Sequence, residues 1–147
     1  MKVPFLPALL LASAVTAALG GCASGMQQEN EAAGAAATRA FEAYARALRK
    51  EDYAAAYALL SSALRKRATA EEFRAHCSAH RERYQRLAEA KVEKTQYDDF
   101  RVALRVTDGA GVTEWVLMVP EGSGWRVDDA GQNLAELCRR FPSSGRP

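Results

Sequence analysis

The chain has almost no surplus of charge: 20 Lys and Arg stand against 18 Asp and Glu in 147 residues, a net +2. A protein that grips nucleic acid through its phosphates carries a concentrated basic stripe, so this balance argues against such a partner. Histidine is scarce, with 2 in the chain, and so is cysteine, with 3. Few ligands are therefore on offer to a transition metal. Residues 23–37 lack aromatic and β-branched side chains altogether. A stretch of that composition reads as a tether, with an end-to-end distance of roughly 20 Å if flexible. The chain beyond it has the length of one small domain with a modest core.

What the chain does have is concentrated first at its N terminus. Lys2 gives a short positive start, and Phe5 to Leu19 is an apolar stretch interrupted by Pro7 and small hydroxyls. Leu19-Gly20-Gly21-Cys22 closes it. The stretch is too short, and too promptly succeeded by a cleavage pattern, for a stable transmembrane helix. Small residues at 20 and 21 let the chain lie extended in a peptidase groove, and Cys22 offers a thiol for acylation. Residues 1–22 resemble the bacterial lipoprotein signal family, with Gly20 standing where Ala or Ser is more usual. The resemblance implies a cleaved signal peptide over 1–21 and a lipidated Cys22 bearing palmitate-type chains. At about 0.8 kcal/mol per buried methylene, three such chains amount to permanent attachment to a membrane. Ala23, rather than Asp, implies the periplasmic leaflet of the outer membrane in a Gram-negative cell. In a Gram-positive cell the same signal means the outer face of the cytoplasmic membrane. Loss of residues 1–21 removes one Lys and no acid, leaving a net charge of about +1.

With Cys22 acylated, Cys77 and Cys138 form an even pair in a compartment that permits disulfides. Bridging them would stabilise the fold by about 4 kcal/mol. The alternative is two small buried thiols that never meet, since sequence cannot place the two Cα atoms within bridging distance.

Helical spacing begins after the tether. Phe41, Tyr44, Ala45 and Leu48 fall on one stripe, with Thr38 as the expected N-cap. The charged corner Arg49-Lys50-Glu51-Asp52 leads into a second helix carrying Tyr53, Ala56, Tyr57, Leu60 and Leu64. Thr69-Ala70-Glu71-Glu72 is a capping box that opens a third helix, with Phe73, Cys77, His80 and Tyr84 on one face. After Leu87 the period changes to 2. Ala88 to Tyr97 predicts a first, less regular strand, and Phe100, Val102, Leu104 and Val106 predict the inward face of the next. Asp108 to Gly111 is a hairpin turn. Val112 to Val119 returns as a strand that Pro120 ends, and Glu121 to Gly124 turns into a last strand at Trp125 to Asp128. A short helix over Leu134 to Arg140 carries Cys138. The expected fold is α+β: three N-terminal helices packed on a curved antiparallel sheet of about four strands, with a short C-terminal helix. The domain spans 38–141, behind the lipidated Cys and tether at 22–37 and before a loose tail at 142–147.

The run AFEAYARALRKEDYAAAYALLSS, then TAEEF, two alternating strands and GWRVDD resembles the nuclear transport factor 2-like superfamily over roughly residues 38–130. The resemblance implies a helix pair lidding a cone-shaped sheet, with Trp125 plugging the core. Its motifs mark a fold, and that superfamily hosts enzymes, ligand binders and structural modules, so function stays open.

Several clusters bear on chemistry. His76 and His80 share a helix face, as two zinc ligands would, with Cys138 as a natural third; ordinary histidines on a half-buried face are the simpler reading, and no metal or cofactor is expected. Enzymes resembling this fold, such as ketosteroid isomerase, use an acid or base and a tyrosine hydroxyl inside the cone. Tyr44, Tyr53, Tyr57, Asp98, Asp99, Asp128 and Asp129 would be the groups available. The tyrosines sit at core spacing and the aspartates at strand ends, and no isolated His or carboxylate falls on an inward position of the alternating strand segments, so the domain reads as non-catalytic. Arg65-Lys66-Arg67 and the arginines at 81, 83 and 86 are solvated helix ends or a patch for an anionic partner. Tyr44, Tyr57, Phe100, Trp115 and Trp125 are the candidate lining of an apolar pocket, against the alternative of core packing. The expected protein is thus a membrane-anchored envelope lipoprotein with a binding domain, its partner an envelope protein or peptidoglycan. The alternatives are a binder of a small apolar ligand or lipid in the cone and, behind it, an isomerase-like enzyme. Oligomeric state has no signal in the sequence.

Overall fold

The computed structural model describes residues 21–98 and 100–130. The signal-peptide reading, Asp99, the expected helix at Leu134 to Arg140 with Cys138, and the tail lie outside the described residues. The first element is α1, Gly21–Arg49, 29 residues long. It begins well before Thr38, so the tether expected over 22–37 is helix instead. The residues that make the stretch look featureless are Ala, Gln and Glu, which are also among the best helix formers. One face of its second half is packed rather than solvated. Ala33 packs against the core, Ala37 is buried, and the apolar stripe continues through Phe41, Tyr44, Ala45 and Leu48. Gly34 is buried too, where a Cβ would run into the Tyr97 hydroxyl and sit 3.3 Å from a carbon of its ring. The folded unit therefore starts several residues before its expected boundary at 38.

The charged corner behaves as its sequence predicts. Glu51 adopts a left-handed φ of 55°, and its N–H donates to Leu48 O at 2.9 Å while that of Asp52 reaches Ala47 O at 3.0 Å. Those bonds satisfy carbonyls at the end of α1. The Glu51 carboxylate pairs with Arg81 and accepts from Gln85. Asp52 caps α2, Tyr53–Ala58, its side chain accepting from Ala55 N at 3.0 Å.

The second helix, expected to run on through Leu64, stops after Ala58. Leu59 to Ser61 instead lies beside the last strand: Ser61 N donates to Val127 O at 2.8 Å and Val127 N to Leu59 O at 2.9 Å. Leu60 is thereby driven into the core. A new helix, α3 (Ser62–Arg67), then opens on Ser61, whose hydroxyl accepts from Leu64 N at 3.1 Å. The third expected helix is likewise two. Its capping box is present, with Thr69 N donating to Glu72 at 2.7 Å and Glu72 N to Thr69 Oγ1 at 3.2 Å. It opens α4, Ala70–Ala79, which ends at His80, and α5, Arg81–Glu89, comes next. Phe73 and Cys77 from α4 and Tyr84, Leu87 and Ala88 from α5 are buried. His80, half-buried at the break, is in neither helix.

The strands are β1 (Lys91–Asp98), β2 (Arg101–Thr107), β3 (Thr113–Glu121) and β4 (Gly124–Ala130). They form an open antiparallel meander in the order β1-β2-β3-β4. The fold class is α+β, helices first and sheet after. Val102, Leu104 and Val106 of β2 lie on the inward face, with Val102 opposite Met118 and Leu104 opposite Val116. Phe100 does not join them: it sits in the β1–β2 turn, 69% exposed. Nor does Pro120 end its strand. It lies within β3 opposite Trp125, and β2 pairs with β3 only as far as Met118. No ladder partner on the β2 side is lost to the missing N–H. In the β2–β3 hairpin the Asp108 carboxylate accepts from the backbone of Ala110 and Val112, each at 2.9 Å. Gly111 and Gly122 take the left-handed φ values of +80° and +59° that their turns require.

Both sheet edges are guarded. The Leu59–Ser61 segment covers β4, and β1 carries a register shift between Val92 and Lys94 together with exposed Lys91, Glu93 and Lys94.

Candidate functional site

The five residues expected to line one pocket occupy four separate places. Tyr44 is wholly buried in the core. Tyr57 is half-buried and donates its hydroxyl to Ala68 O at 2.9 Å, close to the end of α3. Phe100 and Trp125 share a groove at one end of the sheet, and Trp115 belongs to a cleft at the other. Among the described residues these five share no pocket, and α1 instead places Phe41, Tyr44 and Leu48 in the core. Trp125 does not plug the core but packs, half-buried, at its margin.

The interior holds a compact polar cluster among large apolar side chains. Among the described residues the buried hydroxyls of Tyr44 and Tyr84 meet no hydrogen-bond partner. The Cys77 thiol is their polar neighbour, and burial pushes it up to about 12. Burial, with the nearby thiol adding to it, also raises both phenols well above the ordinary tyrosine range. These groups are neutral at any physiological pH, which is how a dry site tolerates them. His76 is buried beside this cluster, its ring centroid 4.6 Å from that of His80 and edge-on to Tyr84 at 5.8 Å. Among the described residues no group of three His, Cys, Asp or Glu side chains is placed to hold a metal ion. Cys77 is a free buried thiol; Cys138, its proposed partner, lies outside the described residues.

A concave surface lies elsewhere. A half-open cleft of about 570 Å³ lies between α5 and the β2–β3 hairpin. Arg83 and Arg86 reach it from α5, one helical turn apart. Asp108 faces them from the hairpin loop, and Glu114 and Trp115 from β3. Arg86 approaches Asp108 with Nε 3.5 Å from Oδ2 and also binds Glu82 at 3.2 Å. Glu114 is raised above the usual carboxylate range, first by burial, with Arg83 pulling the other way. Trp115, 42% exposed, forms the lip. Chemically the cleft offers a flat aromatic face, guanidinium donors suited to a carboxylate or phosphate, and acceptors for hydroxyl or amide groups.

These arginines and Trp115 stand out in the sequence, but nothing there joins them, and Glu114 does not stand out at all. Glu114 pairs with Val106 and shares the parity of Val116 and Met118, so a carboxylate stands on an inward strand register in the segment that does not read as alternating. The signal is present, but the nearly continuous apolar run from 112 to 119 hides the alternation. The aspartates behave as strand-end groups: Asp128 accepts from the buried Ser61 hydroxyl at 2.5 Å, and Asp129 is exposed.

A second groove, of about 240 Å³, opens at the opposite end of the sheet. Phe100, Tyr97 and Trp125 form its aromatic wall, and Asn30 and Ala33 of α1 form the other. Arg101 lies over the Phe100 ring at 5.8 Å. Phe100 and Asp108 flank the two ends of β2, which at about 3.3 Å per residue sets groove and cleft some 20–25 Å apart. Compared with protein-family models, curated proteins and solved structures, the chain matches none of them.

Proposed function

We propose that this chain is a lipid-anchored, non-catalytic binding module of the bacterial cell envelope, and that it receives its partner in the cleft between α5 and the β2–β3 hairpin. The observation that carries the reading is the arrangement of two poles. Cys22, closing the lipobox-like run, lies at the start of α1. That helix passes the Phe100 groove at Asn30 and Ala33 and ends near α5, where Arg49 donates to Ala88 O. An acyl anchor at Cys22 and the cleft therefore belong to opposite ends of the molecule, and the cleft is presented away from the membrane.

The interior supports binding at the surface rather than within the cone. Positions that would line a ligand cavity are occupied by Tyr44, Phe73, Tyr84, Leu104 and Met118, all buried. The likeness to nuclear transport factor 2-like domains enters as an expectation about ancestry and adds no activity. A guanidinium pair beside an indole and carboxylates suits a polar, carboxylate-bearing polymer with sugar faces, which is the chemistry of peptidoglycan.

Two experiments test this. Cys22→Ser should abolish palmitate uptake and leave a precursor of higher mass; normal uptake would refute the anchor. Wild-type protein should sediment with purified peptidoglycan sacculi, and Trp115→Ala and Arg83→Ala should each weaken this about tenfold. Sedimentation unaffected by both substitutions would refute the cleft.

A further inference from the structure

We infer that the groove pole of the sheet rests in the interfacial layer of the membrane that holds Cys22, so the domain docks on the bilayer rather than hanging from it. The inference rests on the acyl anchor proposed above. Its starting observation is that α1 is helical from the anchor position into the core. Met26 is one turn beyond Cys22 and 68% exposed. Asn30 and Ala33 come at i+4 and i+7 from Met26, hence on the same face. That face reaches the groove walled by Phe100 and Trp125.

Phe100 therefore projects at the level of α1 that lies about 12–16 Å along the helix from Cys22. It is the most exposed aromatic among the described residues, at 69%. It sits at the tip of a turn, where an aromatic side chain contributes nothing to the core. Half-exposed Tyr97 stands beside it, and Arg101 lies over its ring. Phe100 in a turn of sequence Tyr97-Asp98-Asp99-Phe100-Arg101, an exposed ring among an amphipathic tyrosine, a long cation and acidic neighbours, has the mixed apolar and polar composition of a membrane–water interface. With α1 inclined to the membrane plane, the acyl chains, Met26 and Phe100 reach the headgroup layer together. A flexible tether would impose no such geometry; a helix packed through Gly34 and Ala37 does. Glu29 and Arg101 both border the groove, and Asp98 and Asp99 precede Phe100 in the sequence, so the attraction is to the apolar boundary and not to anionic lipid charge.

Trp125 and Trp115 supply the test, because they lie at opposite poles. Acylated protein purified from membranes would be placed in phosphatidylethanolamine vesicles containing bromine-labelled lipid. The variant Trp115→Phe leaves Trp125 as the fluorophore, and Trp125→Phe leaves Trp115. Trp125 should be quenched at least about twofold more than Trp115, and adding Phe100→Ser to the Trp115→Phe chain should remove most of that difference. Adding phosphatidylglycerol should change neither. Equal quenching of the two tryptophans in a palmitate-labelled protein would overturn the docking while leaving the anchor intact. A protein that takes up no palmitate in cells would overturn both.

Discussion

Removing one hydroxyl at Ser61 should unfasten the helical layer from the last strand. Ser61 is 1% exposed and does three things at once. Its N–H donates to Val127 O at 2.8 Å, its Oγ accepts from Leu64 N at 3.1 Å, and its hydroxyl donates to Asp128 Oδ1 at 2.5 Å. Ser61→Ala keeps the first and deletes the other two. Loss of an N-cap costs about 1 kcal/mol. Loss of a hydrogen bond to a charged acceptor costs a further 1.5–3 kcal/mol or so. The sum is about 3 kcal/mol, which in a domain near this size lowers Tm by roughly 10–20 °C. Thermal and urea unfolding followed by far-ultraviolet circular dichroism would measure it. Asp128→Ala closes a double-mutant cycle, in which the Ser61–Asp128 coupling should be about 1 kcal/mol or more. A Ser61→Ala protein within about 0.5 kcal/mol of wild type would refute the assignment of Ser61 as the fastener. So would a cycle with no coupling, because the two side chains would then not share a bond in solution. Glu121 is a partial safeguard: its carboxylate accepts from Ser62 N at 2.8 Å and Ser62 Oγ at 2.9 Å. If it holds α3 in place, the loss should fall at the lower end of the range.

The buried thiol and phenols predict alkaline sensitivity. Each holds its proton more tightly folded than unfolded, so its contribution is complete below about pH 9 and declines above it, by up to about 1.4 kcal/mol per pH unit for each group. In reduced protein, Cys77→Ala should flatten the decline of urea stability between about pH 9 and the thiol's folded value of about 12; an unchanged slope would refute the burial argument. Gly34→Leu should destabilise by about 1–3 kcal/mol, because its side chain enters the space of Tyr97. On a free tether the same change would be neutral or favourable, so an unaltered denaturation midpoint would sink the packed-helix reading.

What the sequence makes legible is local. Asp52, Thr69 and Glu72 cap helices as their types require, and Asp108 closes its hairpin as an Asx turn does. The alternation Val102, Leu104, Val106 reports the inward face directly. What it hides is decided by partners distant in the chain. Nothing near Ser61 announces that Val127 will capture it, so a stripe running on to Leu64 reads as one helix. The alanines at 33 and 37 carry too little side chain to signal burial, and only the approach of Tyr97 explains why a glycine sits between them. The cleft is illegible for the same reason: Arg83 and Glu114 are separated by two strands and meet only when α5 folds across the hairpin.

Under the acyl anchor proposed for Cys22, the protein would diffuse in two dimensions and meet its own copies far more often than in free solution. At such local density a bare strand is an invitation, because the identical edge of a neighbour is the best match for it. Here Leu59 to Ser61 occupies one edge and the bulged, lysine-bearing β1 spoils the other. Surface density can then rise without one copy's sheet continuing into the next.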